Sequence, residues 1–356
     1  MLDNIHPKQT SALGLGKNRS IIKRNNILFG HVSYNNIISI ENLLESWREF
    51  LPGKRKRKEV ALFSLRLLDN ILTLHHELKN KDYRHGSYQA FKINDPKPRE
   101  INKASIRDRI VRRAIYRILY PYFDRKFVFD SFSCRREKGT HRAINRFREY
   151  CQKISLNYTR TAWVLKCDIK KFFASIDHKI LINILNKKIK DDNVRWLLDE
   201  VINSFHTKNK IGQGLPLGNL TSQLLANIYL NELDYFLKRN LKVKYCVRYA
   251  DDFVIIHYCK KYLEQLILEI SNFLTADLRL SLHPQKIFLK TIASGVDFLG
   301  WVHFAYHRVI RTSTKKRLIK RIKDNPTPET IASYLGLLKN GNTYKIRKEI
   351  FKDNLN

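Results

Sequence analysis

The chain has 356 residues, 43% of them apolar, and 67 Lys+Arg against 33 Asp+Glu, for a formal net charge of +34 at pH 7. That apolar share excludes wholesale disorder, and so large a positive charge on a folded chain points to a polyanionic partner, nucleic acid before any other. Cys134, Cys151, Cys167, Cys246 and Cys259 make no CxxC pair and no run reaches the ~18 apolar residues of a membrane span, which argues against a zinc ribbon, a secreted disulfide scaffold or a membrane protein and fits a reducing cytoplasm.

Residues 1–36, rich in Asn, Lys and Gly, show no sustained period and read as a basic, partly extended arm. Ile37, Ile38, Ile40, Leu43, Leu44 and Trp47 then recur at helical spacing and predict a helix over 36–51, ended by Pro52-Gly53. The basic run from Lys54 to Lys58 follows, then a second amphipathic helix over 60–80. YQAFKIN and EIN around DPKPR predict strands about a turn between Tyr88 and Ile101. An arginine-rich helix is expected over 105–119, with Pro121 as its stop. WVLKC is a short apolar strand that delivers Asp168, and 179–188 reads as a helix. Pro216 precedes a long helix over 219–237; residues 245–249 and 253–257 form two strands joined tightly at Ala250-Asp251-Asp252. Beyond Phe304 the chain is basic and helical, with Lys315, Lys316, Arg317, Lys320, Arg321 and Lys323 in one stretch.

The sequence Tyr249-Ala250-Asp251-Asp252 lies between apolar β-formers. Two adjacent aspartates at the tip of a buried hairpin repel each other and lose solvation, and a divalent cation relieves both costs. An Asp-Asp pair alone is also an ordinary solvated turn. What raises this one above that is Asp168 on its own strand: hard oxygen ligands from two separated strands can meet at one point and hold two Mg²⁺ ions. One ion would lower the pKa of a 3′-hydroxyl; the other would stabilise a leaving pyrophosphate.

Through YADD (residues 249–252) and LKCDIKKFFASIDH (residues 165–178) the chain resembles a reverse transcriptase. The resemblance implies an α/β (α+β) right-hand polymerase with fingers, palm and thumb, the palm a small antiparallel sheet backed by helices. It divides the chain into the arm (1–36), fingers with part of the palm (37–160), palm (161–304) and thumb (305–356). It makes Asp168 and Asp251 the bridging ligands of two Mg²⁺, Asp252 a weaker ligand beside them, and the carbonyl of Ile169 a further oxygen in one ion's shell. Phe173, five residues after Asp168, takes the place of the bulky side chain that collides with a ribose 2′-OH and so selects dNTPs. Asp177 is expected to cap a helix instead.

In GQGLPLGNLTSQLLANIYLNELD (residues 212–234), similar to the family's template and nucleotide block, Gly218 permits close backbone approach. Ser222 and Gln223 offer polar contacts to the templating pair. Where most of the family reads QGxxxSP, this chain has LGNLTSQ, a departure that resembles diversity-generating retroelement reverse transcriptases, which copy RNA with errors opposite adenine. Some bacterial antiphage-defence reverse transcriptases look similar. By the same resemblance Lys97 and Arg99 grip the incoming triphosphate, Arg135 and His141 of SFSCRREKGTHRA contact nucleic acid, Lys286 of HPQK protonates the leaving pyrophosphate, and Leu299 and Gly300 form the primer-grip turn. The basic stretch 309–350 would track the duplex backbone.

The resemblance spans residues 39–338 and implies RNA-directed DNA synthesis in a bacterial or phage-encoded setting, without a membrane. Partners would be a structured template or noncoding RNA, the RNA/cDNA duplex, dNTPs, and an accessory protein or higher-order assembly. The tails are expected to hold no nuclease, RNase H or integrase module. A non-catalytic RNA-binding scaffold is the rival reading; its mark would be loss of a metal carboxylate, and this sequence keeps them.

Overall fold

The computed structural model describes residues 32–94 and 98–352. Its N-terminal helices are α1 (Tyr34–Ile38), α2 (Ile40–Phe50), α3 (Lys58–Leu65) and α4 (Leu67–Asn80). Each of the first two predicted helices is therefore split. Ser39 leaves helical geometry and its side chain accepts from the amide of Asn42, capping α2. At Arg66 (φ −119°, ψ 43°) the chain bends, and Asn70 Nδ2 reaches the Phe63 carbonyl across the bend at 3.1 Å. Of the expected arm, residues 1–31 lie outside the described residues, and Tyr34 to Asn36 already belong to α1.

The expected hairpin is β1 (Gln89–Ile93) with β2 (Arg99–Lys103). Helix α5 (Ile106–Asp124) runs through Pro121 to Asp124. Proline forfeits one bond to the preceding turn, and here it falls one turn from the end, between the buried Tyr120 and Phe123 that hold the helix against the core. Next come α6 (Thr140–Ile154), β3 (Trp163–Asp168), α7 (Phe172–Ser175), α8 (His178–Asn186), α9 (Asp192–Asn203) and α10 (Leu220–Tyr235), which passes into a π-turn at Phe236–Asn240. Asp177 caps α8 as expected, accepting from Ile180 N at 3.1 Å.

The chain then forms β4 (Cys246–Tyr249), β5 (Asp252–His257), α11 (Lys260–Leu278), β6 (Phe288–Thr291), β7 (Val296–Phe298), β8 (Trp301–His303), β9 (Arg308–Ile310), α12 (Thr312–Asp324), α13 (Pro328–Leu338) and α14 (Tyr344–Lys352). The basic C-terminal stretch is helical only from Thr312; its first residues pair as β9 with β8.

The central sheet is antiparallel, in the order β4-β5-β3-β6. Alternation along a strand sends neighbouring side chains to opposite faces, and both faces are covered. Leu165, Cys167, Phe253 and Ile255 enter a core with α5, α8, α9, α10 and α11; Val164, Val247, Val254 and Ile256 enter a second core with α6, the β7-β8-β9 sheet and α12. This is the small antiparallel sheet backed by helices that the sequence suggested. No helix among the described residues is long and apolar enough to cross a membrane.

Candidate active site

Two strands of the sheet end together. In the β3–β5 pairing Asp168 stands opposite Asp252, and the amide of Ile169 donates to the carbonyl of Asp251 at 3.2 Å. The connection from β4 to β5 is two residues long, Ala250 and Asp251, with Tyr249 paired to Asp252. Ala250 sits at φ 55°, a left-handed conformation usually left to glycine in such turns. The His283 amide donates to the Asp168 carbonyl at 2.7 Å, bringing the HPQK segment alongside.

Cations face the carboxylates. Lys286 Nζ lies 2.6 Å from Asp168 Oδ2. Lys166 Nζ lies 3.4 Å from Asp252 Oδ2 and donates to the Asp297 carbonyl at 2.8 Å. Asp252 Oδ1 is enclosed and has no hydrogen-bond partner. Burial pushes the Asp252 carboxyl up to about 7, with the charges of Asp168 and Asp251 adding to the rise and Lys166 opposing it. Asp251 is also raised, by burial and then by Asp168, against the pull of Lys286 and Arg99.

Would this arrangement suit a metal? Its donors are carboxylate and carbonyl oxygens, the hard set that Mg²⁺ takes, and the orphaned Asp252 Oδ1 is a buried acceptor in want of a cation. Among the described residues, however, no group of three or more Asp, Glu, His or Cys is close enough to hold an ion. Of the three carboxylates expected to converge, Asp168 and Asp252 are aligned by strand pairing, and each lies beside a lysine.

Phe173, on α7, is half-buried; it packs on the core and its carbonyl accepts from Leu215 N at 2.8 Å. Gly218 (φ +93°) lies under the hairpin: a Cβ there would stand 2.7 Å from Ile101 Cγ2. The hairpin is tied to this loop by Asn102 N to the Leu217 carbonyl (3.1 Å) and Asn219 Nδ2 to the Asn102 carbonyl (2.8 Å). Gln223 is exposed on the first turn of α10, and Arg99 is exposed on β2. Lys97 lies outside the described residues. Leu299 and Gly300, at φ 51° and 85°, make the two-residue turn between β7 and β8, the I′ pattern of a tight hairpin. That turn borders a cleft of about 1030 Å³ whose far wall carries Arg311, Lys316, Arg317 and Lys320. A smaller cavity of about 270 Å³ reaches from Gly218 to Lys54, Arg57 and Arg109, drawing part of the basic run toward the site.

Two expectations are corrected. Arg135 is not a free nucleic-acid contact: its side chain is 6% exposed, pairs with Asp124 at 2.7 Å and donates to the carbonyls of Val128, Ser131 and Asp124. Ser222 is 1% exposed with its hydroxyl enclosed, so it supports α10 from within instead of facing a template. His141, in the same block as Arg135, is exposed at the start of α6.

Sequence reasoning missed Lys166, Arg112 and Arg248. Arg112 on α5 is buried and donates to Thr221 Oγ1 at 2.7 Å, fastening the start of α10. Arg248 is paired with Asp234 of α10. A usable signal was present: both arginines fall on the inward phase of apolar elements, where a charge needs a partner.

The chain is similar in sequence to known proteins over much of its length. The pattern of the family described as reverse transcriptase (RNA-dependent DNA polymerase) matches residues 91–303. The chain is similar to protein YkfC of Escherichia coli (strain K12), 28% identical over 300 residues that cover 71% of this chain and 76% of that one. It is also similar to the group II intron-encoded protein LtrA of Lactococcus lactis subsp. cremoris, 32% identical over 158 residues, 43% of this chain and only 25% of LtrA. A solved telomerase from Candida albicans, in complex with a fragment of telomeric RNA, aligns with a TM-score of 0.49 at 12% identity over 69% of this chain and 51% of that one. With more than half of its length inside the family pattern, and the two acidic strand ends inside that half, the chain belongs to the reverse transcriptases, the RNA-dependent DNA polymerases.

Proposed function

We propose that DNA is synthesised on an RNA template at the joint end of β3 and β5. The observation that carries this reading is the pairing of Asp168 with Asp252, which puts the first acidic block beside the YADD turn. Asp168, Asp251 and Asp252, with the Ile169 carbonyl, would hold Mg²⁺, two ions in all. Bound there, the metal supplies acidity to the primer 3′-OH and offsets charge on the triphosphate.

The remaining roles belong to the chain's own groups. Lys286, the ammonium nearest Asp168, holds the proton that the leaving pyrophosphate takes. Arg99, with Lys97, grips the triphosphate from the hairpin. Phe173 blocks a 2′-hydroxyl, Gly218 and Gln223 border the base pair being formed, and the Leu299–Gly300 turn seats the primer end. The exposed cations of α12 follow the duplex phosphates without reading sequence; His141 adds a peripheral contact.

The test is Mg²⁺-dependent dNTP incorporation on an RNA template with a DNA primer. Asp251→Asn should reduce it to background while template–primer binding persists. Equal activity in the two proteins would defeat the assignment.

For the biological setting we favour a diversity-generating retroelement working with an accessory protein and a structured RNA, on the strength of LGNLTSQ in place of QGxxxSP. Sequencing the cDNA made on co-purifying RNA separates the settings. Errors scattered at adenines support diversification, whereas a repetitive or homopolymeric product supports antiphage defence.

A further inference from the structure

Arg248 precedes the catalytic turn by two residues and is 1% exposed. A guanidinium has five N–H donors, and each one here has an acceptor. Nε and one Nη2 hydrogen engage Asp234 as a fork, at 2.7 and 2.5 Å. The second Nη2 hydrogen goes to Ser131 Oγ at 2.9 Å. Nη1 donates to Asn227 Oδ1 at 3.3 Å and to the carbonyl of Ala250 at 3.1 Å. The backbone of Arg248 is fixed as well: its amide donates to the Asp130 carbonyl and its own carbonyl accepts from Phe132, both at 2.9 Å.

A fully satisfied, buried guanidinium is a rigid object, because moving it strands donors away from water. Four of its five donors address α10 and the segment around Ser131, elements outside the catalytic strands. The fifth addresses the peptide between Ala250 and Asp251, where Ala250 holds a left-handed conformation that costs an L residue energy. From this we infer that Arg248 is a positioning residue for the polymerase reaction: anchored on Asp234, Asn227 and Ser131, it sets the turn and so the place of the Asp251 carboxylate relative to Asp168. The inference rests on the proposed role of Asp251, and no group of Arg248 touches a reacting atom.

The decisive variant removes the arginine without leaving a buried charge behind. Arg248→Met with Asp234→Leu replaces an ion pair by apolar groups, an exchange that proteins often accept with little loss of stability. We expect a melting temperature and a template–primer Kd near those of the native chain. The single-turnover rate of dNTP incorporation should fall about 10²-fold, the scale of a displacement near 1 Å at a reacting centre. Hydrogen exchange at the 249–252 turn should rise while that of α10 stays put. A native rate in the folded pair variant overturns the inference. Should the pair variant not fold, Arg248→Lys decides: it keeps a charge opposite Asp234 but has three donors on a flexible stem. A rate loss with unchanged Kd supports positioning, and a native rate overturns it. An inactive native chain would instead defeat the polymerase reading, so the two failures are told apart.

Discussion

The central sheet and helix α12 treat charge in opposite ways. At the sheet end the charges are few and set in pairs: Arg248 with Asp234, both buried, Lys166 with Asp252, and the more exposed Lys286 with Asp168. On α12 only Leu318 and Ile322 are buried, one turn apart, while Lys316, Arg317 and Lys320 are exposed along the cleft. Matched, buried charge fixes atoms in place, and a small displacement is costly. Unmatched exposed charge attracts a polyanion wherever it lies along its axis, and is screened by salt. Under the proposed function the contrast gives geometry to one region and grip to the other, and each can be altered with the other left alone.

The largest effect should come from the gripping side. Lys316→Gln, Arg317→Gln and Lys320→Gln together should weaken RNA/DNA duplex binding roughly 10²-fold near 0.15 M salt and make the log–log salt dependence shallower by about 2 to 3. The incorporation rate at saturating duplex should stay native; a fall in that rate, measured in a single turnover, would erase the division between the regions.

Next is an acid-dependent stability term at the boundary. His303 of β8 is buried against Phe147 and Phe298, and burial lowers its pKa from 6.5 to about 4. The unfolded chain takes up a proton near 6.5 where the folded one refuses it until about 4. The stabilising contribution is therefore complete above pH 6.5 and is lost as pH falls toward 4, a total of about 3 kcal/mol. His303→Phe should flatten this part of the urea-denaturation stability profile; an unchanged slope between pH 4 and 6.5 would show that His303 titrates normally.

The smallest effect sharpens the sheet side. Gly218→Ala adds a Cβ against Ile101 at a positive φ, which should cost about 1–3 kcal/mol and raise the KM for dNTP more than it lowers the rate. A native KM would detach the hairpin from the nucleotide site.

Much of this was legible in the sequence because the relevant signals are local. Short apolar runs around residues 163–168 and 245–257 gave β3, β4 and β5, and the acids at their ends followed. The breaks at Ser39 and Arg66, and the passage of α5 through Pro121, escape a local reading because a helix break, or its survival, depends on what a residue meets across the fold: Ser39 caps, and Tyr120 with Phe123 holds α5 past its proline. Arg135 and Ser222 failed for a related reason. A basic or hydroxyl side chain looks alike in sequence whether it faces a ligand or a buried carbonyl. The three-residue strands β7, β8 and β9 are too short to display a period, and Lys166 betrays its role only through its contacts with Asp252 and Asp297.

The alignment of Asp168 with Asp252 has a consequence for how this chain tolerates change. Side chains alternate along β3 and β5, and both faces of the sheet are filled. Substituting one apolar residue for another there alters packing by a methyl or two. Deleting or inserting a single residue is different in kind, since it turns every later side chain to the wrong face and carries the carboxylate with it. In these two strands length is the more tightly constrained variable, and a library that varies composition at fixed spacing should keep far more active members than one that varies spacing.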